Sequence, residues 1–264
     1  MIAIVVLTHD RVHLLRLCVE KVLAATSALT TEIVIWNNGS SDGTREYLDT
    51  LADPRLRVVH HPDNIGQNAY ARAFERTTAP YLIELDDDMI DAPPEWDRSL
   101  LEAFERLPTI GFLAASLVNN PHDQAARVMY EERPHLYTTV ELNGVTLLRG
   151  PVGGGCAITS RELHDRVGGF RQRSDQVFWL EDEAYIADIE KLGYEAAYLK
   201  EIQVLHAGGS YYAPESEAKH RYWQDYWQKE IRKNNVKRLL TRVPFVRSLN
   251  DRYGWFRISD APDL

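Results

Sequence analysis

Three aspartates stand in a row at positions 86–88, directly after the apolar stretch Pro80-Tyr81-Leu82-Ile83-Glu84-Leu85. Adjacent carboxylates repel one another, and a divalent cation removes that repulsion. Mg2+ takes one or two carboxylates plus phosphate oxygens, and Mn2+ accepts oxygen ligands with an occasional imidazole. The plainer reading of the tripeptide is a solvated acidic loop. A second acidic run, Glu181-Asp182-Glu183, follows Phe178-Trp179. A carboxylate beside apolar rings has its pKa raised, which suits a general base; acids at a helix start are also favoured by the helix dipole alone. His206 closes the apolar stretch Ile202-Gln203-Val204-Leu205 and precedes Ala207-Gly208-Gly209. An imidazole so placed can approach a metal, or can serve as an ordinary bonded structural residue. Gly153-Gly154-Gly155 permits close backbone approach to a ligand, or is a plain bend.

The elements around these residues alternate. Residues 2–7 form a continuous apolar run, the pattern of a strand covered on both faces, and 12–23 carries apolar residues at helical spacing. Strands are predicted at 32–36, 56–59 and 80–85, with helices at 44–51 and 68–77 between them. This alternation predicts an α/β fold with a parallel, doubly wound sheet and right-handed crossovers. Beyond Pro93-Pro94 the pattern loosens: a helix over 96–107, a strand over 111–117, an irregular or hairpin-like stretch to 150, an apolar segment at 156–158 and a helix over 160–167. Ligands of open α/β sheets bind outside the carboxyl ends of the strands, and each polar cluster above lies at such an end.

Composition narrows the function classes. The chain has 264 residues, 44% hydrophobic and 26% charged, with a formal charge of −9; these are globular values that allow a sizeable core. No apolar run approaches the ~20 residues that span a bilayer. The N-terminus reads as a strand rather than a signal peptide, and Cys18 and Cys156 make neither a disulfide framework nor a metal-ligand spacing. A cytoplasmic protein is expected. A dinucleotide-dependent dehydrogenase is excluded because no G-x-G-x-x-G follows the first strand. A sugar nucleotidyltransferase would need a glycine-rich phosphate loop where this chain has Thr8-His9-Asp10-Arg11. A catalytically degenerate sugar- or nucleotide-binding module is a further alternative.

Taken in order, Leu7-Thr8-His9-Asp10-Arg11, Asn37-Asn38-Gly39-Ser40-Ser41-Asp42-Gly43-Thr44, Asn64-Ile65-Gly66, Leu85-Asp86-Asp87-Asp88, Glu181-Asp182 and His206 resemble the GT-A glycosyltransferases of family 2. The resemblance covers residues 1 to about 212 and implies a metal-dependent, inverting transfer of a sugar from a nucleoside-diphosphate sugar, UDP-sugar first, to an acceptor hydroxyl. It implies that Thr8, His9, Asp10, Arg11, Asn37, Asn38 and Arg72 line the nucleobase pocket. Asp86 would face the ribose, with Asp87 beside it. Asp88 and His206 would hold Mn2+ or Mg2+. Asp182 would be the general base, and Gly154, Trp179 and Glu181 would shape the sugar and acceptor sites. Two positions depart from the family pattern: Asn37 stands where an aspartate usually meets the base, and Ala184 and Asp188 stand where a further acid and an arginine are common.

The expected organisation is a catalytic domain over 1–212, with a nucleotide-sugar half to about 92 and an acceptor half after it, and a helical extension over 213–264. Residues 219–257 hold 11 Lys or Arg against 3 Asp or Glu, which leaves −17 on the remainder. Tyr222-Trp223 and Tyr226-Trp227 repeat at i, i+4 and form one helical face. That face packs on the catalytic domain, or lies on anionic lipid as a peripheral membrane contact; nucleic acid is not the expected partner. The acceptor is a glycan, a lipid-linked molecule or a small molecule, added to singly rather than processively.

Overall fold

The computed structural model describes residues 1–118, 134–174, 181–207 and 217–253; within the last segment, side chains are described at 228, 229, 231–250 and 252. The chain divides into two compact units, Met1–Pro214 and Glu215–Leu264.

In the first unit, β1 (Ile2–Thr8) shows why an unbroken apolar run makes a central strand. Ile2, Ile4 and Val6 fill one core, while Ala3 and Val5 fill another on the opposite face. Successive strand side chains point to opposite faces, so both must be covered. β1 lies parallel to β2 (Thr30–Asn38) on one side and to β4 (Tyr81–Asp86) on the other, and β3 (Leu56–His61) is parallel to β2. The connections are helical: α1 (Val12–Leu17) with a π-helical continuation Cys18–Leu23, α2 (Thr44–Leu48) and α3 (Asn68–Phe74). Leu15 of α1 packs in the first core and Tyr70 and Phe74 of α3 in the second, so helices cover both faces.

Beyond β4 the sheet becomes mixed. A three-residue strand, β5 (Met89–Asp91), follows the aspartates and pairs antiparallel with β10 (Glu195–His206). After α4 (Trp96–Glu105), β6 (Ile110–Val118) runs parallel to β10. A hairpin of β7 (Thr138–Leu142) and β8 (Val145–Arg149) forms the far edge. β9 (Cys156–Ser160) is inserted antiparallel between β4 and β6, giving the order β3-β2-β1-β4-β9-β6-β10-β8-β7. α5 (Arg161–Val167) starts where Ser160 Oγ accepts the Leu163 N–H at 3.2 Å, an N-cap, and stops at Gly168 with φ +81. α6 (Glu181–Lys191) buries Tyr185, Ile186 and Ile189 in the second core. Cys18 and Cys156 are free and buried.

The second unit holds α7 (Glu217–Leu240) and α8 (Pro244–Tyr253), the latter opened by a proline, which is favoured at a first helical position. The side chains of Tyr222, Trp223, Tyr226 and Trp227 lie outside the described residues. No helix among the described residues is long and apolar enough to cross a membrane.

Candidate functional site

Strand alternation on β4 sorts the acids. Leu82, Glu84 and Asp86 share one face, with Leu82 in the core that contains Tyr70 and Tyr185. Ile83 and Leu85 point the other way, into the core that contains Leu15. Asp87 is wholly buried and ion-pairs with Arg11, which also donates to Asp88 Oδ2 at 2.7 Å. Burial pushes the Asp87 carboxyl up to about 6 against the pull of Arg11. Burial works against the Arg11 charge, and the three neighbouring aspartates more than restore it, so its pKa rises. Asp87 is therefore buried against Arg11 rather than open to a ligand, and Arg11 offsets part of the charge of the aspartate row.

Asp86 and Asp88 turn toward His206. The Tyr70 hydroxyl donates to Asp86 Oδ1 at 2.8 Å, and Asp88 Oδ1 lies 3.3 Å from His206 Nε2. The short strand β5 creates this meeting: Met89 pairs with His206, and Ala207 N donates to Asp88 O at 2.8 Å. Ligand atoms of Asp86, Asp88 and His206 all lie within 4.8 Å of one another. Two carboxylates and an imidazole fit Mn2+ or Mg2+, with Mn2+ the better match to the nitrogen.

A second acid cluster sits on the Glu84 face. Carboxyl oxygens of Glu84, Glu181 and Asp182 also lie within 4.8 Å of one another. The glycine loop joins the two clusters: Gly154 N donates to Asp182 Oδ2 at 2.7 Å, and Gly155 O accepts from Asp86 N at 2.8 Å. A Cβ on Gly154 would fall 2.7 Å from Asp182 Oδ2 and against Glu84 Oε1. A side chain at 154 would thus have to displace the Glu84 and Asp182 carboxyl groups. Gly155 adopts φ +92, a conformation that side chains rarely take.

Glu84 was not expected at the site. It is 2% exposed, and its Oε2 has no hydrogen-bond partner among the described residues. Burial, then the charges of Asp182, Asp86 and Glu181, push its carboxyl well above the usual range. A raised Glu84 carboxyl carries less negative charge beside Asp182 than an ordinary glutamate would. The available signal was a single acid inside an otherwise apolar strand.

The remaining expected residues are spread over the loops at the strand ends. Asp10 Oδ1 accepts from Ser41 N at 2.6 Å, and its own N–H donates to Ser40 Oγ at 3.0 Å. Asp42 Oδ2 accepts from Val12 N at 2.8 Å, at the start of α1. Asn37 Oδ1 accepts from Ser40 N at 3.0 Å, and its Nδ2 lies 3.1 Å from His60 Nδ1. Asn38 donates to Asn64 Oδ1 at 2.9 Å and Gly66 O at 3.2 Å, and accepts from Ile65 N at 3.1 Å. Asn37 and Asn38 are buried and knit these loops together. Thr8 is buried, and His9 Nε2 lies 3.5 Å from Asp10 Oδ2. Arg72 is exposed on α3. Asp188, one of the departures from the family pattern, accepts from Arg171 at 2.6 Å and Lys191 at 2.8 Å. Trp179 lies outside the described residues.

Comparison with known proteins identifies the family and the fold. The sequence model described as glycosyl transferase family 2 matches residues 3–168. A protein of Sinorhizobium fredii, the uncharacterized y4gI, is 22% identical over 258 residues, covering 87% of this chain and 27% of its own length. The chain thus spans about a quarter of that relative. Among solved structures, a mannosyltransferase of Pyrobaculum calidifontis in complex with GDP-mannose and Mn2+ is similar with a TM-score of 0.58 at 20% identity, over 88% of this chain and 64% of its own. TarS residues 1–349 of S. aureus, in complex with UDP-GlcNAc, gives 0.58 at 14% identity, over 80% and 60%. Glucosyl-3-phosphoglycerate synthase of Mycobacterium tuberculosis, with Mn2+, UDP and phosphoglyceric acid, gives 0.53 at 17%, over 79% and 71%. With the family match running from the first strand through the aspartates to the end of α5, the chain belongs to glycosyl transferase family 2 and has the GT-A fold.

Proposed function

We propose that the protein transfers a sugar from a nucleoside-diphosphate sugar to an acceptor hydroxyl in a single, inverting displacement. The observation that carries this reading is the glycine loop, whose adjacent residues hold Asp182 through Gly154 N and Asp86 through Gly155 O. A base and a cation-binding carboxylate thereby share one rigid support at the carboxyl ends of the strands.

Asp86, Asp88 and His206 would hold Mn2+ or Mg2+. When bound, such a cation supplies Lewis-acid stabilisation of the negative charge on a departing nucleoside diphosphate. Asp182 is the proposed general base. One oxygen is fixed by the Gly154 N–H, and the carboxylate takes the acceptor proton as the acceptor oxygen attacks the anomeric carbon from the face opposite the leaving group. One displacement inverts the configuration, by the logic of single-displacement glycoside hydrolysis. The raised Glu84 carboxyl limits the charge beside Asp182. Loops held together by Asp10, Asn37 and Asn38 form the proposed nucleoside pocket, with Arg72 at its rim; Asp86, expected toward the ribose, is assigned to the cation instead. Glu181, Gly154 and Trp179 are assigned to the sugar and acceptor side.

UDP-sugar is the proposed donor. Similar folds occur in complexes with UDP, UDP-GlcNAc or GDP-mannose, so the nucleotide is tested directly. Melting curves with UDP, GDP, dTDP and CDP, each with Mn2+, Mg2+ or EDTA, decide the donor side. A ligand at 100-fold over its Kd adds about 2.7 kcal/mol to stability. A metal-dependent upward shift with one nucleotide is expected, largest with UDP. Absence of a shift with every nucleotide would return the protein to the degenerate binding modules.

A further inference from the structure

The second unit carries an apolar stripe on a basic background. Val236, Leu239, Leu240 and Val243 follow i, i+3, i+4, i+7 spacing and, with Phe245, are between 40% and 72% exposed. Helical hydrogen bonding continues past the end of α7, with Thr241 N donating to Lys237 O at 2.9 Å and Val243 N to Leu240 O at 3.1 Å. Val243 therefore stays on the stripe. At 100° per residue the four side chains fall within one narrow arc. Lys237 lies beyond one edge of that arc and Arg242 beyond the other. Between 229 and 252, eight Lys or Arg stand against two acids, and Lys229, Arg232, Lys233, Arg238, Arg242, Arg247 and Arg252 are exposed.

Scattered exposed apolar side chains are ordinary, whereas a contiguous stripe rimmed by cations marks an interaction surface. We propose that this face docks on an anionic lipid surface: the stripe enters the acyl boundary, and the flanking Lys and Arg extend to the headgroups. Charge favours this occupant: an anionic bilayer opposes the whole face with negative charge, whereas a two-fold pairing with a second copy would bring a like-charged basic face against the first. Geometry selects lying over spanning, because no described helix is apolar enough to cross. The proposal is independent of the transferase reading.

The test is sedimentation of the full chain with vesicles of phosphatidylcholine alone or mixed with phosphatidylglycerol, at low and high salt. Binding to the mixed vesicles only, weakened by salt, is expected. Lys237→Gln with Arg242→Gln should weaken partitioning about fivefold for each charge removed. Leu239→Ser with Leu240→Ser and Phe245→Ser should abolish it, with the helical circular dichroism signal and any transferase activity in free solution unchanged. Equal binding to neutral vesicles, or none to either kind, would overturn the proposal. So would dimerisation in light scattering that is lost in the serine variant, since the face would then join copies. Salt-sensitive binding to single-stranded nucleic acid without vesicle binding would overturn it as well.

Discussion

Replacing Gly154 by alanine tests the glycine loop at the scale of one methyl group. The added Cβ would lie 2.7 Å from Asp182 Oδ2 and 2.8 Å from its carboxyl carbon, with Glu84 Oε1 closer still. Side-chain carbons keep at least 3.0 Å from such atoms and usually 3.4 Å or more, so the Asp182 carboxylate must retreat by several tenths of an ångström. It must also stretch or lose its 2.7 Å bond from Gly154 N. Overpacking of this kind costs about 1–3 kcal/mol, or about 2–4 °C in Tm for each kcal/mol. A misplacement of about 1 Å in a catalytic group costs about 100-fold, so a fall in kcat of about 10- to 100-fold is expected. Gly153→Ala is the control, because its Cβ would meet only Tyr198 Oη at 3.8 Å, an ordinary contact. The assay is steady-state release of nucleoside diphosphate in the presence of acceptor, with melting of both variants alongside. A Gly154→Ala enzyme with full kcat, or a Gly153→Ala enzyme equally impaired, would refute the steric argument.

Other substitutions test the neighbouring groups. Burial raises the Glu84 carboxyl well above the 4.5 of an ordinary glutamate; the native state therefore binds a proton more readily than the unfolded chain, and stability falls as pH rises above that value. Glu84→Gln should therefore melt above the wild type at pH 7–8 and converge with it near pH 4, and equal melting at all pH values would show that Glu84 is not protonated. Arg11→Met leaves Asp87 buried without its cation, which costs about 3–5 kcal/mol; a change in denaturation midpoint worth under about 1 kcal/mol would contradict the pairing. His206→Ala should lower Mn2+ affinity, read by electron paramagnetic resonance of free Mn2+, while leaving the metal-free melting temperature within about 2 °C. Unchanged Mn2+ affinity would remove His206 from the ligand set.

The first half of the sheet was legible because its information is local. A two-faced apolar run such as residues 2–7 and a strand ending in three acids announce themselves within a few residues. The second half depends on pairings between distant segments. Nothing local to Cys156–Ser160 states that it slots antiparallel between β4 and β6, and Met89–Asp91 is too short to show a period. Yet that short strand is what carries Asp88 to His206. Within the site, Asp86, Asp88 and His206 were readable as residue types at strand ends, and Asp182 as an acid at a helix start. The division of labour in the aspartate row was available in principle from alternation, which sends Asp87 away from Asp86. Glu84 was hidden because its role comes from Asp182, almost one hundred residues away in the chain, and from the glycine loop between them.

The central claim is that this chain transfers sugar using Asp182 as the base. Its most direct test is Asp182→Asn, measured for both nucleotide binding by calorimetry with Mn2+ and transfer by product release under saturating donor. The substitution keeps the shape and one oxygen to accept from Gly154 N, while replacing the other by an amide nitrogen and removing the basic charge. The account predicts unchanged nucleotide affinity and a loss of about 10²- to 10⁴-fold in kcat. Transfer at the wild-type rate would contradict it.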